Sequence, residues 1–355
     1  MSTREELQVP KAEFRSYYGR PILKEPTWKV PDVPLYLFLG GMAGSSATMA
    51  ALADLTGNPG LARTGRYAAA LGSTASVVAL VHDLHRPTRF LNMLRVFKPT
   101  SPLSVGSWIL APFSGAASAS AVSALTGILP AWGRAAGVAS GVLGPALSTY
   151  TAVLLADTAI PAWHEYHREL PFVFGGSALA SGAGAALLAA PPAEVEPARR
   201  MAVLGAGIEL AAATRIERTG GIVGEPYRTG RPRRLMAAGR ILTGLGAGLA
   251  VAGRRSRWVS DRNSRLLSAA AGVSLLAGGV CTRFGVFYAG RVSAADPKYV
   301  VVPQRERVAA QTGGAGDVSA LAPDEGSATA KTGGATGPGS PPSPGSPPSP
   351  GSPPA

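Results

Sequence analysis

The chain has 355 residues, 46% hydrophobic and 15% charged, with a formal net charge of +13 and a single cysteine. That balance excludes an ordinary soluble protein, and the lone Cys281 excludes a disulfide framework, a cysteine-based zinc site or iron–sulfur ligation by this chain. The positive charge sits in loops between apolar runs instead of on a soluble surface, so no nucleic-acid partner is expected.

Residues 1–32 are polar and charged with no apolar core. No cleavable signal peptide is therefore expected, and the first apolar helix should itself direct insertion. Crossing a hydrocarbon core of ~30 Å takes about 20 apolar residues. Eight runs qualify as transmembrane helices: Pro34–Leu55, Tyr67–Leu84, Ser104–Leu129, Ala135–Ile160, Phe172–Ala190, Met201–Ala213, Leu235–Ala252 and Leu266–Ala289. The expected fold is an all-α integral membrane protein. It comprises a polar segment (1–32), a first four-helix bundle (33–160), a second (161–290) and a disordered Pro/Gly/Ser-rich tail (291–355).

Trp28, Trp108, Trp132, Trp163 and Trp258 all fall at or just beyond predicted helix ends, where indole rings prefer the headgroup region. Runs such as GGMAGSSATMAALA (Gly40–Ala53) are rich in the small residues that let helix backbones approach in lipid. The N-terminal segment, the even-numbered loops and the start of the tail carry about twice as many Lys and Arg as the opposite loops. The positive-inside rule then places both termini in the cytoplasm.

Between the second and third spans, HDLHRPTRFLNMLRVFKPTSP (His82–Pro102) concentrates charge in an otherwise apolar chain. Asp83 and Arg86 end the second helix ahead of Pro87, a stop signal. Asp83 is either a helix-end carboxylate in a solvated loop or one that exchanges protons with a redox ligand. A quinone would suit such chemistry, because its reduction consumes protons at carbonyl oxygens. Tyr36, Trp108, Tyr150 and Asp157 lie near the same predicted face and could line an amphipathic pocket for its headgroup.

All four histidines form two HxxH pairs, His82/His85 and His164/His167. Such pairs could bind a metal or, one from each helix, a haem; a polar or proton-handling rim has the same composition. Glu209, in GAGIELAAATRIE, is a carboxyl at membrane depth and a proton-relay candidate, with Arg240 and Arg283 as its candidate partners. The GxGxG in GLGAGLAVAG (Gly244–Gly253) follows no strand and reads as helix packing. GxxxxGK[ST], HExxH and GxSxG are absent, so hydrolase and ATPase readings lose support. The tail ends in GSPPSP repeats (Gly339–Pro354), a low-complexity tract that buries no core.

Four stretches resemble the NrfD-type, or polysulfide reductase, membrane subunits. They are YYGRPILKEPTWKVPDVPLYLFLGGMAGSS (Tyr17–Ser46), DLHRPTRFLNMLRVFKPTSPLSVGSW (Asp83–Trp108), LSTYTAVLLADTAIPAWHE (Leu147–Glu165) and ELPFVFGGSALAS (Glu169–Ser181). The resemblance is dense over the first half and rests on helix number and spacing in the second. It implies the quinone-reactive membrane subunit of an oxidoreductase complex, exchanging electrons between exchangeable menaquinone or ubiquinone and a 4Fe–4S ferredoxin-like subunit, itself paired with a molybdopterin-type catalytic subunit. Such a chain is not itself the catalytic subunit, and no tightly bound metal is expected in it.

By position, the resemblance assigns quinone contact or proton exchange to Tyr36, Asp83 and Tyr150, with His82, Arg86 and Asp157 beside them. Arg86, Arg89, Arg95 and Lys98 become a basic surface for the iron–sulfur partner. The charge count puts that surface in the cytoplasm, whereas several family members dock their partner outside it. From the residues alone, two other readings stay open: a transporter or proton channel built on Glu209, and a haem-bearing anchor built on the histidine pairs.

Overall fold

In a computed structural model, residues 22–311 are described apart from 85, 87, 220 and 255–259. Among these described residues twelve helices follow in order: α1 (Asp32–Leu55), α2 (Pro59–Asp83), α3 (Arg89–Met93), α4 (Pro102–Thr126), α5 (Pro130–Ala156), α6 (Pro161–His164), α7 (Leu170–Ala189), α8 (Glu196–Thr219), α9 (Glu225–Arg228), α10 (Gly230–Ala252), α11 (Asp261–Ala295) and α12 (Lys298–Gln311). No strand occurs among the described residues.

Local chemistry sets several helix ends. Proline opens α2, α4, α5 and α6, where its missing N–H leaves no helical bond unmade. Gly127 ends α4 in the left-handed region, with φ 73°. The Ser260 hydroxyl accepts from the Asn263 N–H and caps α11. Pro112 and Pro145 lie inside α4 and α5, as membrane helices tolerate where neighbours supply the missing contacts.

Among the described residues six helices are long and apolar enough to cross a membrane: α1, α4, α5, α7, α10 and α11. α2 and α8 have comparable lengths, 25 and 24 residues, but are less apolar along them. Connections of a few residues join α1 to α2, α4 to α5, and α7 to α8, as in antiparallel neighbours. The starts of α1, α4, α7 and α10 therefore share one side, here the near side, with the ends of α2, α5, α8 and α11.

Small residues govern how closely these helices meet. At Gly44 of α1 and Gly144 of α5, a Cβ on either would run into the other's carbonyl. Gly176 of α7 and Gly205 of α8 make a second such crossing. Without a hydrophobic drive between helices in lipid, close backbone approach and interhelical hydrogen bonds do the holding. Ser148 Oγ donates to Gly41 O at 3.1 Å, and Ser45 Oγ to Ala178 O at 2.6 Å.

The sequence-based boundaries shift in several places. The second and sixth helices begin ahead of Tyr67 and Met201, at Pro59 and Glu196, because a helix continues through polar residues that an apolar count omits. α11 has 35 residues, about 52 Å of helix, and so outruns the hydrocarbon core at its charged first turns. Beyond 290, where a disordered tail was expected, the chain is helical to Ala295 and again in α12; residues 312–355 lie outside the described part. The described residues up to Arg307 belong to one compact unit.

Trp163 follows the end of α5 as the sequence suggested, yet it is fully buried, not a ring in the headgroup layer. It stacks on Trp28 at 5.6 Å between centroids, its Nε1 donates to Val286 O at 2.8 Å, and Gly290 leaves the room its indole occupies. Trp108 and Trp132 are exposed, as interfacial anchors are; Trp258 lies outside the described residues.

Candidate functional site

On the near side, α1, α2, α4 and α5 surround a pair of phenols. Tyr36 of α1 and Tyr150 of α5 are both buried, and their hydroxyl groups interact with one another. Gly106 of α4 lies flat against the Tyr150 ring, where any Cβ would overlap it. Ser76 of α2 donates to the Tyr36 carbonyl at 3.2 Å. The pair has two O–H donors, and neither hydroxyl bonds any other protein group among the described residues, so at least one remains for a ligand oxygen.

Asp83 ends α2 seven residues beyond Ser76, about 10 Å of helix rise, and so stands near the surface above the phenols. Its Oδ1 accepts from the Lys29 N–H at 2.8 Å, and Lys29 Nζ donates to His82 O at 3.2 Å. His82 Nδ1 lies 2.8 Å from Asp32 Oδ2. Asp32 is four residues before Tyr36, one turn above it on the same face of α1. The end of α2 thus ties down the segment entering α1 and presents two carboxylates and an imidazole over the tyrosines.

The remaining residues named from the sequence are more peripheral. Asp157 caps α5, exposed, two turns beyond Tyr150. Arg86, Arg95 and Lys98 are exposed on the α2–α4 connection beside exposed Leu91, Val96 and Phe97; nothing is described for the Arg89 side chain. Ser107 of α4 reaches Met93 Sδ at 3.8 Å, which holds α3 over the start of α4.

Of the histidines, His85 lies outside the described residues. His164 and His167 have ring centroids 6.1 Å apart, and their Nδ1 atoms lie 3.1 Å from the Ala156 and His164 carbonyls. Among the described residues no three His, Cys, Asp or Glu side chains gather as metal ligands.

A second polar centre sits among α7, α8, α10 and α11. Glu209 is buried and accepts from Thr282 Oγ1 at 2.6 Å and, more weakly, from Thr243 Oγ1 at 3.4 Å. The Ser177 hydroxyl faces it without a hydrogen bond of its own. Of the two arginines expected as partners, Arg240 pairs with Glu217 instead. Arg283 is close enough to interact with Glu209 electrostatically, but the two nitrogens that make hydrogen bonds both donate to carbonyls, and Nη1 has no hydrogen-bond partner among the described residues. Its Nε reaches Leu37 O at 3.3 Å and its Nη2 reaches Phe174 O at 2.9 Å, with the guanidinium 3.8 Å over the Phe174 ring. Arg283 therefore links α11 to α7 and to the carbonyl next to Tyr36.

Sequence reasoning missed three participants: Asp32, Gly106 and the buried Arg199, which donates to Ala250 O and to the hydroxyls of Ser264 and Ser268. Only Asp32 had a signal, an acid one helical turn before a candidate tyrosine.

A family model described as "Polysulphide reductase, NrfD" matches residues 24–199, from the segment ahead of α1 into α8. The chain belongs to the NrfD family. Both the phenol pair and the residues above it fall inside the matched span. NrfD proteins are membrane subunits of oxidoreductase complexes and generally partner with iron–sulfur and molybdopterin subunits. The family and the long apolar helices together make this chain a multi-pass membrane protein. No curated protein matched the chain.

Proposed function

We propose that this chain is the quinone-reactive membrane subunit of a respiratory oxidoreductase complex, exchanging electrons and protons between membrane quinone and a 4Fe–4S ferredoxin-like subunit. That subunit would in turn serve a molybdopterin-type catalytic subunit. The observation that carries the reading is the buried Tyr36–Tyr150 pair with an unspent O–H donor, roofed by Asp32, His82 and Asp83.

These residues fit menaquinone or ubiquinone as an exchangeable substrate. A quinone carbonyl needs a donor in a dry site, and an unused phenol O–H inside an apolar bundle supplies one. When bound, the quinone supplies two-electron, two-proton redox chemistry. Tyr36 and Tyr150 orient the headgroup and hold a proton at a phenol oxygen. Gly106 and the apolar residues around the pair exclude water. His82 and Asp32, with Asp83 beside them, exchange protons with bulk solvent at the mouth.

Arg86, Arg95 and Lys98, exposed among apolar side chains on the same side, support docking of the iron–sulfur partner there, with Arg89 in the same stretch of sequence. Eight crossings in two four-helix bundles, 33–160 and 161–290, agree with the packing: α1, α2, α4 and α5 meet chiefly one another, as do α7, α8, α10 and α11. The positive-inside rule favours cytoplasmic termini in the bacterial inner membrane, and puts the near side in the cytoplasm.

A second reading, a proton path through the second four long helices, rests on Glu209. A carboxyl buried at membrane depth is a functional candidate by default, and Arg283 connects it physically to the backbone beside Tyr36. The test of the primary reading is quinol turnover by the intact complex carrying Tyr150→Phe.

A further inference from the structure

α7 and α8 touch at Gly176 and Gly205 and then diverge toward the near side, opening a cleft of about 700 Å³ between them. Its floor is apolar, formed by Phe172 of α7, itself 63% exposed, and Ile208 of α8. Its rim carries three guanidinium groups, Arg168, Arg215 and Arg218, against one carboxylate, Glu169. Arg215 Nε donates to Glu169 Oε1 at 3.2 Å, which leaves its outward nitrogens unspent. Arg168 and Arg218 pair with no carboxylate among the described residues.

The geometry points to a binding site for an anionic glycerophospholipid, its phosphate held by the arginine rim and an acyl chain laid along the α7–α8 cleft. Position decides the class of ligand. Ile208 lies seven residues before Arg215, about 10 Å deeper along α8, so the cleft runs from headgroup level into the acyl region. A soluble anion would use only the rim and leave the apolar floor wet. A zwitterionic lipid would bring an ammonium group against three guanidiniums and gain little from them. Basic residues near a membrane surface each favour anionic lipid, and a fork of guanidinium donors matches a phosphate's oxygens. The site is separate from the Tyr36–Tyr150 pair and does not depend on what that pair binds.

The test uses the full chain, purified with whatever subunits accompany it, in phosphatidylcholine nanodiscs doped with photoactivatable phosphatidylglycerol. Cross-links mapped by peptide mass spectrometry should concentrate on the start of α7 and the end of α8. Unlabelled phosphatidylglycerol should compete, and inorganic phosphate and phosphatidylcholine should not. The triple variant Arg168→Gln/Arg215→Gln/Arg218→Gln should lose labelling about tenfold or more, whereas Arg262→Gln/Arg265→Gln at the opposite end of the helices should retain it. Ala211→Trp, which crowds the cleft without touching a charge, should also lose labelling and guards against misfolding of the triple variant. Labelling spread evenly over the helices, or displaced equally by inorganic phosphate or phosphatidylcholine, would overturn the assignment.

Discussion

Replacing Arg283 by Met tests how the second polar centre is held. The guanidinium is 1% exposed, donates to two carbonyls, covers the Phe174 ring and stands near the buried Glu209. Hydrogen bonds from a charged donor contribute about 1.5–3 kcal/mol each. Both carbonyls belong to helices and keep their helical partners, so the lower end of that range applies to each. The Arg283–Glu209 attraction acts beyond the 4 Å of a direct ion pair, so at an effective dielectric of ~20 it stays below about 4 kcal/mol.

Arg283→Met should therefore destabilise by about 3–5 kcal/mol, the range seen when one buried charge loses its counter-charge. Glu209→Gln, which keeps an acceptor for Thr282, should cost less. The double variant should recover about 1–3 kcal/mol relative to the sum, because neither charge is then left alone. Thermal unfolding in detergent at one protein concentration and scan rate, compared across the four proteins, reads the coupling. Additivity to within about 0.5 kcal/mol would refute the claim that these two charges compensate each other.

Gly144→Leu should separate α1 from α5, because any Cβ there meets the Gly44 carbonyl. A loss of about 1–3 kcal/mol and faster proteolysis of the α5 ends would register it, while native stability would contradict the close approach. Lys298 of α12 bonds Glu225 at 3.1 Å, and that bond raises the lysine above its ordinary value. A raised lysine stabilises fully below its unfolded pKa and loses that contribution as pH rises through the folded value. Glu225→Gln should therefore speed proteolytic removal of α12 at neutral pH but make little difference in strong alkali. Arg95→Glu with Lys98→Glu should reduce co-purification of an iron–sulfur subunit, with the deficit largest at low salt and shrinking as salt screens the charges; unchanged recovery would count against docking on the α2–α4 connection.

The helical architecture was legible because lipid imposes it: long apolar runs, proline at helix starts and small-residue crossings are all local signals. What exceeded the apolar runs was not. The polar first turns of α11 carry a serine cap that an apolar count passes over, and α12 is polar enough to read as tail. Trp163 shows the same limit, since its place after α5 was plain but its burial depends on Trp28, Phe287 and Gly290, far away in sequence.

Tyr36 and Tyr150 could each be singled out, but their meeting depends on the register of α1 against α5, which Gly44 and Gly144 set. Glu209 was visible as an isolated acid in an apolar helix. Its partners were not, because Glu217 on the same helix takes Arg240 and leaves Glu209 to hydroxyls.

The most direct measurement of the central claim is steady-state quinol oxidation by the intact complex carrying Tyr150→Phe or Tyr36→Phe, alongside partner activity with an artificial electron donor. A phenol that donates to the quinone and holds its proton should be worth about 10²-fold or more. Quinol turnover should fall by that order in at least one variant while artificial-donor activity stays at the wild-type level. Quinol turnover unchanged in both variants would contradict the placement of the quinone at this tyrosine pair.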